Sequence, residues 1–192
     1  MSGQAPGLPG RLVPEITIND IGPVQRSDAS LRRIRVSIAD QSTNTGPAGV
    51  YRGFIEAVNR QDLEEAGRFV NAARYRENCV GFTHGFVGWD EAKESVRQVW
   101  KGLPDLRLEL AQILAGGDVA LAHGTVRGTA TGRLYGAPAT RRSFQASFFD
   151  YVRVQDGQII ERVQQADVLT QMRQLYGKAL GLIGLDAMFL RL

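Results

Sequence analysis

The sequence is poor in the residues that form disulfides and zinc sites. Its 192 residues include one cysteine, Cys79, and two histidines, His84 and His123. A single cysteine excludes an intramolecular disulfide, and three Cys and His side chains are too few for the four ligands of a typical zinc site. We therefore expect no metal centre, since a carboxylate-only site has no support in the sequence.

Long apolar runs and strongly basic runs are also absent. No segment reaches the roughly 18 apolar residues of a membrane span, and the opening has glycines and prolines where a signal peptide is apolar. The net charge is only +3, and the tight basic pairs are Arg32-Arg33 and Arg141-Arg142. That is too little to follow a phosphate backbone. These absences predict a cytoplasmic protein that binds neither membranes nor nucleic acid.

The motifs of common cofactors and nucleophiles are missing as well. No Gly-x-Gly-x-x-Gly follows a predicted strand, and there is no Walker loop and no Gly-x-Ser-x-Gly elbow. Cys79 has no histidine partner that the sequence indicates beyond nearby His84, so a thiol nucleophile is not expected. We predict a protein that works without a cofactor.

Residues 1–48 differ in composition from the rest of the chain. They contain most of the seven prolines, together with clusters of Gly, Ser, Thr and Asn. We predict an N-terminal extension over 1–48, partly flexible with short strand-like pieces, and a main domain over 49–178. An apolar tail over 179–192 is too short to cross a bilayer and is expected to pack on the domain or at a subunit contact.

The first half of the main domain has the apolar period of helices. One apolar stripe predicts a helix over 50–58. Asp62 and Glu65 have the spacing of a capping box, which predicts a second helix to about residue 71. Asp90 is the expected N-cap of a third helix, which ends at Gly102.

After Pro104 the apolar period falls to two, as in strands. The dipeptide Asp156-Gly157 predicts a tight turn between two of these strands, and Asp167 predicts the N-cap of a last helix. Helices followed by an antiparallel meander indicate an α+β domain. The predicted strands cover residues 106–110, 119–127, 143–154 and 158–165.

Asp150 is the most informative residue of the predicted strands. Alternation places it on the same strand face as Phe148 and Val152, so the sequence puts a carboxylate on an apolar wall. Burial without a cationic partner raises the pKa of a carboxyl group, which suits a general acid or base at neutral pH. Two structural alternatives stay open: a β-bulge that turns Asp150 outward, or a buried salt bridge.

The other polar candidates carry weaker signals. A regular hairpin around Asp156-Gly157 places Val163 opposite Asp150 and Gln164 on the other face, so a bulge is needed to bring Gln164 and Asp150 together. His84 is a candidate pocket residue or a surface residue of a loop. His123 is expected to be a core or surface histidine rather than a ligand.

Four parts of the sequence are similar to a known family: the run 128–140, the long strand from Ser143, the stretch 153–161 with its Asp-Gly turn, and the helix start at Asp167. Together they resemble the SnoaL-like polyketide cyclase family over residues 49–178. The resemblance implies the nuclear transport factor 2-like fold. This is a cone-shaped α+β barrel in which a curved antiparallel sheet wraps around N-terminal helices and encloses an apolar pocket. It also implies homodimers or higher homo-oligomers that pair through the sheet.

The resemblance carries over to the site only in part. The acid/base aspartate of the family's cyclases falls on Gln164, and a pocket histidine falls on Asp150. A pocket asparagine falls on Asn78, and His84 is the candidate match for a following histidine. Gln164 cannot exchange a proton at neutral pH. Either Asp150 has taken over proton transfer, or the reaction is not the family's aldol cyclisation. We predict Asp150 as the acid/base, with Asn78, Gln164 and His84 orienting or polarising the substrate.

The function implied is a cofactor-independent cyclase of secondary metabolism. It would close or isomerise a ring of an apolar, polyketide-like substrate by proton transfer, as the family's aldol cyclases do. The alternative is a non-catalytic binding or accessory protein, or a hydroxylase-type member, on the same fold. The predicted substrate-binding residues are Phe54, Phe82, Trp100, Phe148 and Asp167.

Overall fold

A computed structural model describes residues 46–80, 85–134 and 136–177 of the chain. In this part the helices and strands follow one another as α1 (Pro47–Asn59), α2 (Leu63–Arg68), β1 (Arg76–Val80), β2 (Phe86–Val87), α3 (Trp89–Gly102), β3 (Arg107–Gly116), β4 (Val119–Thr129), β5 (Ser143–Gln155), β6 (Gln158–Ala166) and α4 (Val168–Tyr176). None of these helices is long and apolar enough to cross a bilayer.

Side-chain caps start two of the helices, as the sequence predicts. Asp62 accepts a hydrogen bond from the backbone N–H of Glu65 at the start of α2, and Asp167 accepts one from Thr170 at the start of α4. The expected cap of α3 is wrong, because that helix begins one residue before Asp90 and its N-cap is Gly88. Asp90 lies in the first turn, where its charge is still favourable to the helix dipole.

The strands form one curved, unclosed sheet in the order β2-β1-β6-β5-β4-β3. All neighbours are antiparallel except β1 and β6, which run parallel. The predicted α+β class is confirmed. The parallel pair was not predicted, and it matters because it places β1 beside the strand that follows the Asp156-Gly157 turn.

A bulge in the β5–β6 hairpin sets which residues of β6 face inward. Next to the turn, Gln155 pairs with Gln158. Further from the turn the register shifts by one residue, so that Arg153 pairs with Glu161. The shift places Gln164, rather than Val163, opposite Asp150. The bulge needed to bring these two side chains to one face is therefore present.

The core is divided into two clusters of buried apolar side chains. The first includes Phe54 and Trp89 and lies among α1, α2 and the sheet. The second includes Leu103 and Met172 and lies near the end of α3 and against α4. This division matters for function because residues of both clusters line a single cavity.

Candidate functional site

A largely apolar cavity of about 160 Å³ lies between the two core clusters. Its walls come from α1, α3, the inner face of the sheet and α4. Apolar clefts with a few converging polar groups are the usual form of small-molecule sites. The polar side chains along this cavity are those of Glu77, Ser95, Cys79, Arg162, Gln164 and Gln171.

Five polar residues of three adjacent strands form one patch, which we call the polar wall: Glu77 and Cys79 of β1, Arg162 and Gln164 of β6, and Asp150 of β5. Strand register explains why they meet. Glu77 is the direct partner of Arg162, while Gln164 is the partner of Cys79 on one side and of Asp150 on the other. Because side chains alternate along a strand, these residues share the inner face.

One guanidinium holds the two carboxylates of the polar wall. Arg162 donates from Nη1 to Glu77 Oε1 at 2.9 Å, and from Nε and Nη2 to Asp150 Oδ2 at 3.2 and 2.9 Å. Its guanidinium also lies 5.8 Å from the centre of the Phe54 ring. Glu77, Asp150 and Arg162 are the buried charged residues of the part of the chain that the structure describes, and Arg162 pairs with both carboxylates.

Neutral donors complete the cluster. Tyr75 donates its hydroxyl to Glu77 Oε2 at 2.7 Å, and the Cys79 thiol donates to Glu77 Oε1 at 3.3 Å. Tyr51 donates its hydroxyl to Asp150. Both carboxylates are therefore held by donors as well as by charge, as buried carboxylates must be.

Burial is the largest influence on the pKa of each of the shifted groups in the cluster. It raises the pKa of Asp150, and the opposing charge of Arg162 only partly offsets it. Burial and the charge of Glu77 raise the pKa of Cys79 and of Tyr75, so both stay neutral donors at pH 7. Burial lowers the pKa of Arg162, but the charges of Asp150 and Glu77 outweigh that effect and raise it well above its ordinary value.

Asp150 lies on the inner, apolar face of β5, as the alternation predicts, but it has a cationic partner. The expectation of an unpaired carboxylate is replaced by one of the two structural alternatives, the buried salt bridge. Asp150 is also not among the residues that line the cavity, because Arg162 and Gln164 lie there instead. Asp150 therefore lies beside the cavity residues Arg162 and Gln164 without lining the cavity itself.

Two other predicted residues line the cavity, Gln164 and Phe54. Phe148 is fully buried in the first core cluster, and Trp100 packs against that cluster; neither lines the cavity. Asp167 is exposed and caps α4. Its carboxylate is thus engaged in starting a helix.

Asn78 is exposed, because it alternates with the inward-facing Glu77 and Cys79 on β1. His123 is exposed on the outer face of the sheet and stacks on Phe149 with ring centres 4.6 Å apart. The remaining predicted residues, Phe82 and His84, lie outside the described residues.

Sequence reasoning missed Glu77 and Arg162, which carry the charge of the cavity. Each lies in a short stretch with other charged residues, and they are 85 positions apart. A parallel pair such as β1 and β6 has no local signal, because it is joined by a long crossover rather than a turn. A usable signal was the Glu77-x-Cys79 alternation next to Tyr75, which indicates a strand with polar groups on one face.

Chemically, the arrangement offers a carboxylate, a guanidinium, an amide and a thiol at one side of an apolar space. Such a set can move a proton and polarise a carbonyl oxygen. Within the described residues, no group of three or more Cys, His, Asp or Glu side chains is placed to hold a metal ion.

Solved structures share this fold at low sequence identity. IdmH of Streptomyces antibioticus, a candidate polyketide cyclase, matches with a TM-score of 0.61 and 22% identity over 68% of this chain and 98% of its own. AclR of Streptomyces galilaeus, a candidate hydroxylase, has a TM-score of 0.58 and 20% identity over 65% and 77% of the two chains. An NTF2-like protein of Burkholderia thailandensis has a TM-score of 0.58 and 19% identity over 68% and 97%.

No curated protein matches the sequence. The family model described as SnoaL-like polyketide cyclase matches residues 48–175, which is two thirds of the chain and all four helices except the first residue of α1 and the last residue of α4. It spans nearly the whole of the described fold, including the cavity and the polar wall. The chain therefore belongs to the SnoaL-like polyketide cyclase family.

Proposed function

We propose that the protein is a cofactor-independent enzyme that closes or isomerises a ring by proton transfer on an apolar, polyketide-like substrate. One observation carries the proposal: an apolar cavity has a carboxylate, a guanidinium and an amide at one side of it. A merely structural ion pair needs no cavity beside it. Small-molecule sites combine apolar walls with a few polar groups in this way.

The chemistry follows from the two kinds of polar group. A carboxylate takes the proton next to a carbonyl group, and the electron pair moves to the carbonyl oxygen to form an enolate. The amide of Gln164 and the guanidinium of Arg162 are the donors beside the cavity that would stabilise this oxygen. Gln164, which replaces the family's acid/base aspartate, thus serves as a donor rather than as a base.

The size of the cavity limits the substrate. Its volume of about 160 Å³ is close to that of a cavity that holds one benzene ring, about 150 Å³. We infer that the reacting ring is enclosed while the rest of a larger substrate lies towards the mouth. The apolar residues at the second-cluster end, among them Leu106, Leu134 and Val168, would contact that part.

The test uses 2-tetralone, a bicyclic ketone with an acidic proton next to its carbonyl. In heavy water, the protein should accelerate exchange of that proton for deuterium, with a rate that saturates as the ketone concentration rises. Nuclear magnetic resonance of the ketone measures the exchange. A Gln164→Leu variant, which removes the amide donor, should lower the exchange rate by roughly 100- to 1000-fold.

The alternative, a binding or accessory protein, predicts a different result in the same experiment. The replacement of the family's aspartate by Gln164 is the observation that favours it. In that case 2-tetralone would bind, as measured by calorimetry, while its exchange rate would equal that in buffer. Saturable exchange above the rate in buffer contradicts the binding-only alternative.

A further inference from the structure

The polar wall contains two buried carboxylates, and their positions differ with respect to the cavity. Glu77 lines the cavity and its side chain is 7% exposed. The side chain of Asp150 is 0% exposed and does not line the cavity. A general base has to reach the proton that it removes, at about 2.6–3.2 Å. Geometry therefore separates the two carboxylates.

Glu77 is also held in a defined orientation. Arg162 and Cys79 donate to its Oε1, and Tyr75 donates to its Oε2. A carboxylate oxygen can accept two hydrogen bonds, and among the described residues Tyr75 is the one donor to Oε2, so these residues leave this oxygen one further acceptor site. Glu77 and Arg162 form an ion pair, and the carboxylate form of a glutamate side chain is the form that accepts a proton.

We propose that Glu77 is the general base of this site, the group that takes a proton from a carbon atom of the bound substrate, and that Asp150 acts only by holding Arg162. The proposal rests on the proposed function and identifies the residue that performs its first step. Asp150 becomes a positioning residue, because its bonds to Nε and Nη2 fix the guanidinium that also binds Glu77.

The probe is 5-nitrobenzisoxazole, which needs a base and no carbonyl-polarising donor. In its ring opening the carboxylate takes the proton on the carbon next to nitrogen. The electron pair of the broken C–H bond becomes the third bond of a nitrile, and the N–O bond breaks with its electrons moving to oxygen. The product is a coloured phenolate, so the reaction is followed by absorbance.

We expect saturable turnover by the wild-type protein and a loss of at least about 100-fold in kcat for Glu77→Gln, since general-base catalysis contributes about 10²–10⁴-fold. Glu77→Asp keeps the charge but shortens the side chain, so it should retain part of the rate. Asp150→Asn should lose less than Glu77→Gln. The matched control is Glu161→Gln, an identical change on β6 at a side chain that is 40% exposed and outside the cavity.

Three results would overturn the proposal. They are a Glu77→Gln variant that turns over at the wild-type rate, a larger loss for Asp150→Asn than for Glu77→Gln, and a folded wild-type protein without any acceleration. Circular dichroism establishes that each variant folds. Should Glu77→Gln not fold, the wild-type pH–rate profile decides: a base on the protein gives a rate that rises and then levels off, whereas a rate that keeps rising with hydroxide contradicts the proposal.

The outcome is separable from that of the proposed function. If Glu77→Gln still exchanges the proton of 2-tetralone as the wild type does, the protein is an enzyme whose base is another group. If the wild type opens 5-nitrobenzisoxazole but does not exchange 2-tetralone, Glu77 is a base in a cavity that does not activate ketones. Each of the two proposals can therefore be contradicted without contradicting the other.

Discussion

At the scale of single residues, the polar wall contains more acidic groups than basic ones. Two buried carboxylates share one guanidinium, so the cluster carries a net negative charge when both are ionised. Removing one carboxylate leaves a balanced pair of Arg162 with the other. Such a balanced pair is less costly to bury than the same cluster with one excess charge. This charge balance is why we expect the single-carboxylate variants to fold.

The pH dependence of stability tests this charge balance at Asp150. The pKa of Asp150 is raised in the folded protein. At a pH between the unfolded pKa of about 3.9 and the folded pKa, this carboxyl group therefore binds more protons in the folded state than in the unfolded state. The protonated carboxyl group contributes its full stabilisation at a pH below the unfolded pKa. This stabilisation is lost as pH rises through the folded pKa. Relative to Asp150→Asn, which does not titrate, the wild type should lose stability as pH rises.

Urea denaturation of both proteins at pH 4, 6 and 8 measures this difference. Asp150→Asn is expected to be at least as stable as the wild type at pH 8 and comparatively less stable at pH 4. The exposed variant Asp118→Asn is the control, since Asp118 is 66% exposed. If the free energy of unfolding of the wild type instead rises with pH relative to that of Asp150→Asn, the attraction between Asp150 and Arg162 outweighs the cost of burying the carboxylate.

The sequence predicted the placement of Asp150 but not the role of its partners. Alternation along β5 is a local pattern, so the inward direction of Asp150 followed from Phe148 and Val152 alone. Its pairing with Arg162 depends on the register of β6 after the bulge. The connection of Asp150 to Glu77 through Arg162 depends in addition on the parallel pairing of β1 and β6. Neither is encoded within a short window of sequence.

At the scale of helices and strands, local signals predicted most of the fold. The caps Asp62 and Asp167 and the turn at Asp156-Gly157 are confirmed. The second helix is shorter than predicted and ends at Arg68. A further error, the start of α3, has a physical reason: Gly88 adopts φ 87°, a left-handed conformation that glycine tolerates, so the helix begins without a side-chain cap.

Close packing between β3 and β4 provides an element-scale prediction. Gly124 of β4 pairs with Leu110 of β3 beside a register shift. A Cβ atom at Gly124 would lie 2.3 Å from the carbonyl oxygen of Glu109 and 2.7 Å from the Phe148 ring. Backbone and buried ring cannot both move away, so Gly124→Ala should lower the free energy of unfolding by about 1–3 kcal/mol.

The matched control lies in the neighbouring strand. Gly116 of β3 has no atom within 4 Å of an added Cβ. Gly116→Ala should therefore be neutral or stabilise by about 0.5–1 kcal/mol, the usual gain over glycine inside a strand. Thermal and urea denaturation compare the two variants. Equal stability of Gly124→Ala and Gly116→Ala would contradict the packing argument.

At the scale of the whole molecule, the two faces of the sheet differ in what covers them. The inner face packs on the helices and encloses the cavity. The outer face presents large apolar side chains to solvent, with Leu121 52% and Phe149 56% exposed, and His123 stacked on Phe149. Five uncharged outer-face residues adjoin them: Gln112, Leu114, Tyr151, Val163 and Gln165. Arg153 lies at the edge of this set, where it donates to the Tyr151 hydroxyl. Contiguous apolar surface of this kind is typical of protein–protein contacts.

We predict that a second copy of the chain covers this outer face. The patch spans four adjacent strands, β3 to β6, and its own residues carry no Asp, Glu, Lys or Arg side chain that would repel an identical patch, which a two-fold contact requires. Sedimentation equilibrium at micromolar concentration should give twice the mass of 21.0 kDa. Leu121→Glu places like charges at the contact and should shift the protein to the monomer, whereas Leu169→Glu, at another exposed leucine, in α4, should leave the dimer intact. A wild-type protein that sediments as a monomer, or a Leu121→Glu variant that remains dimeric, would show that this face does not form the contact.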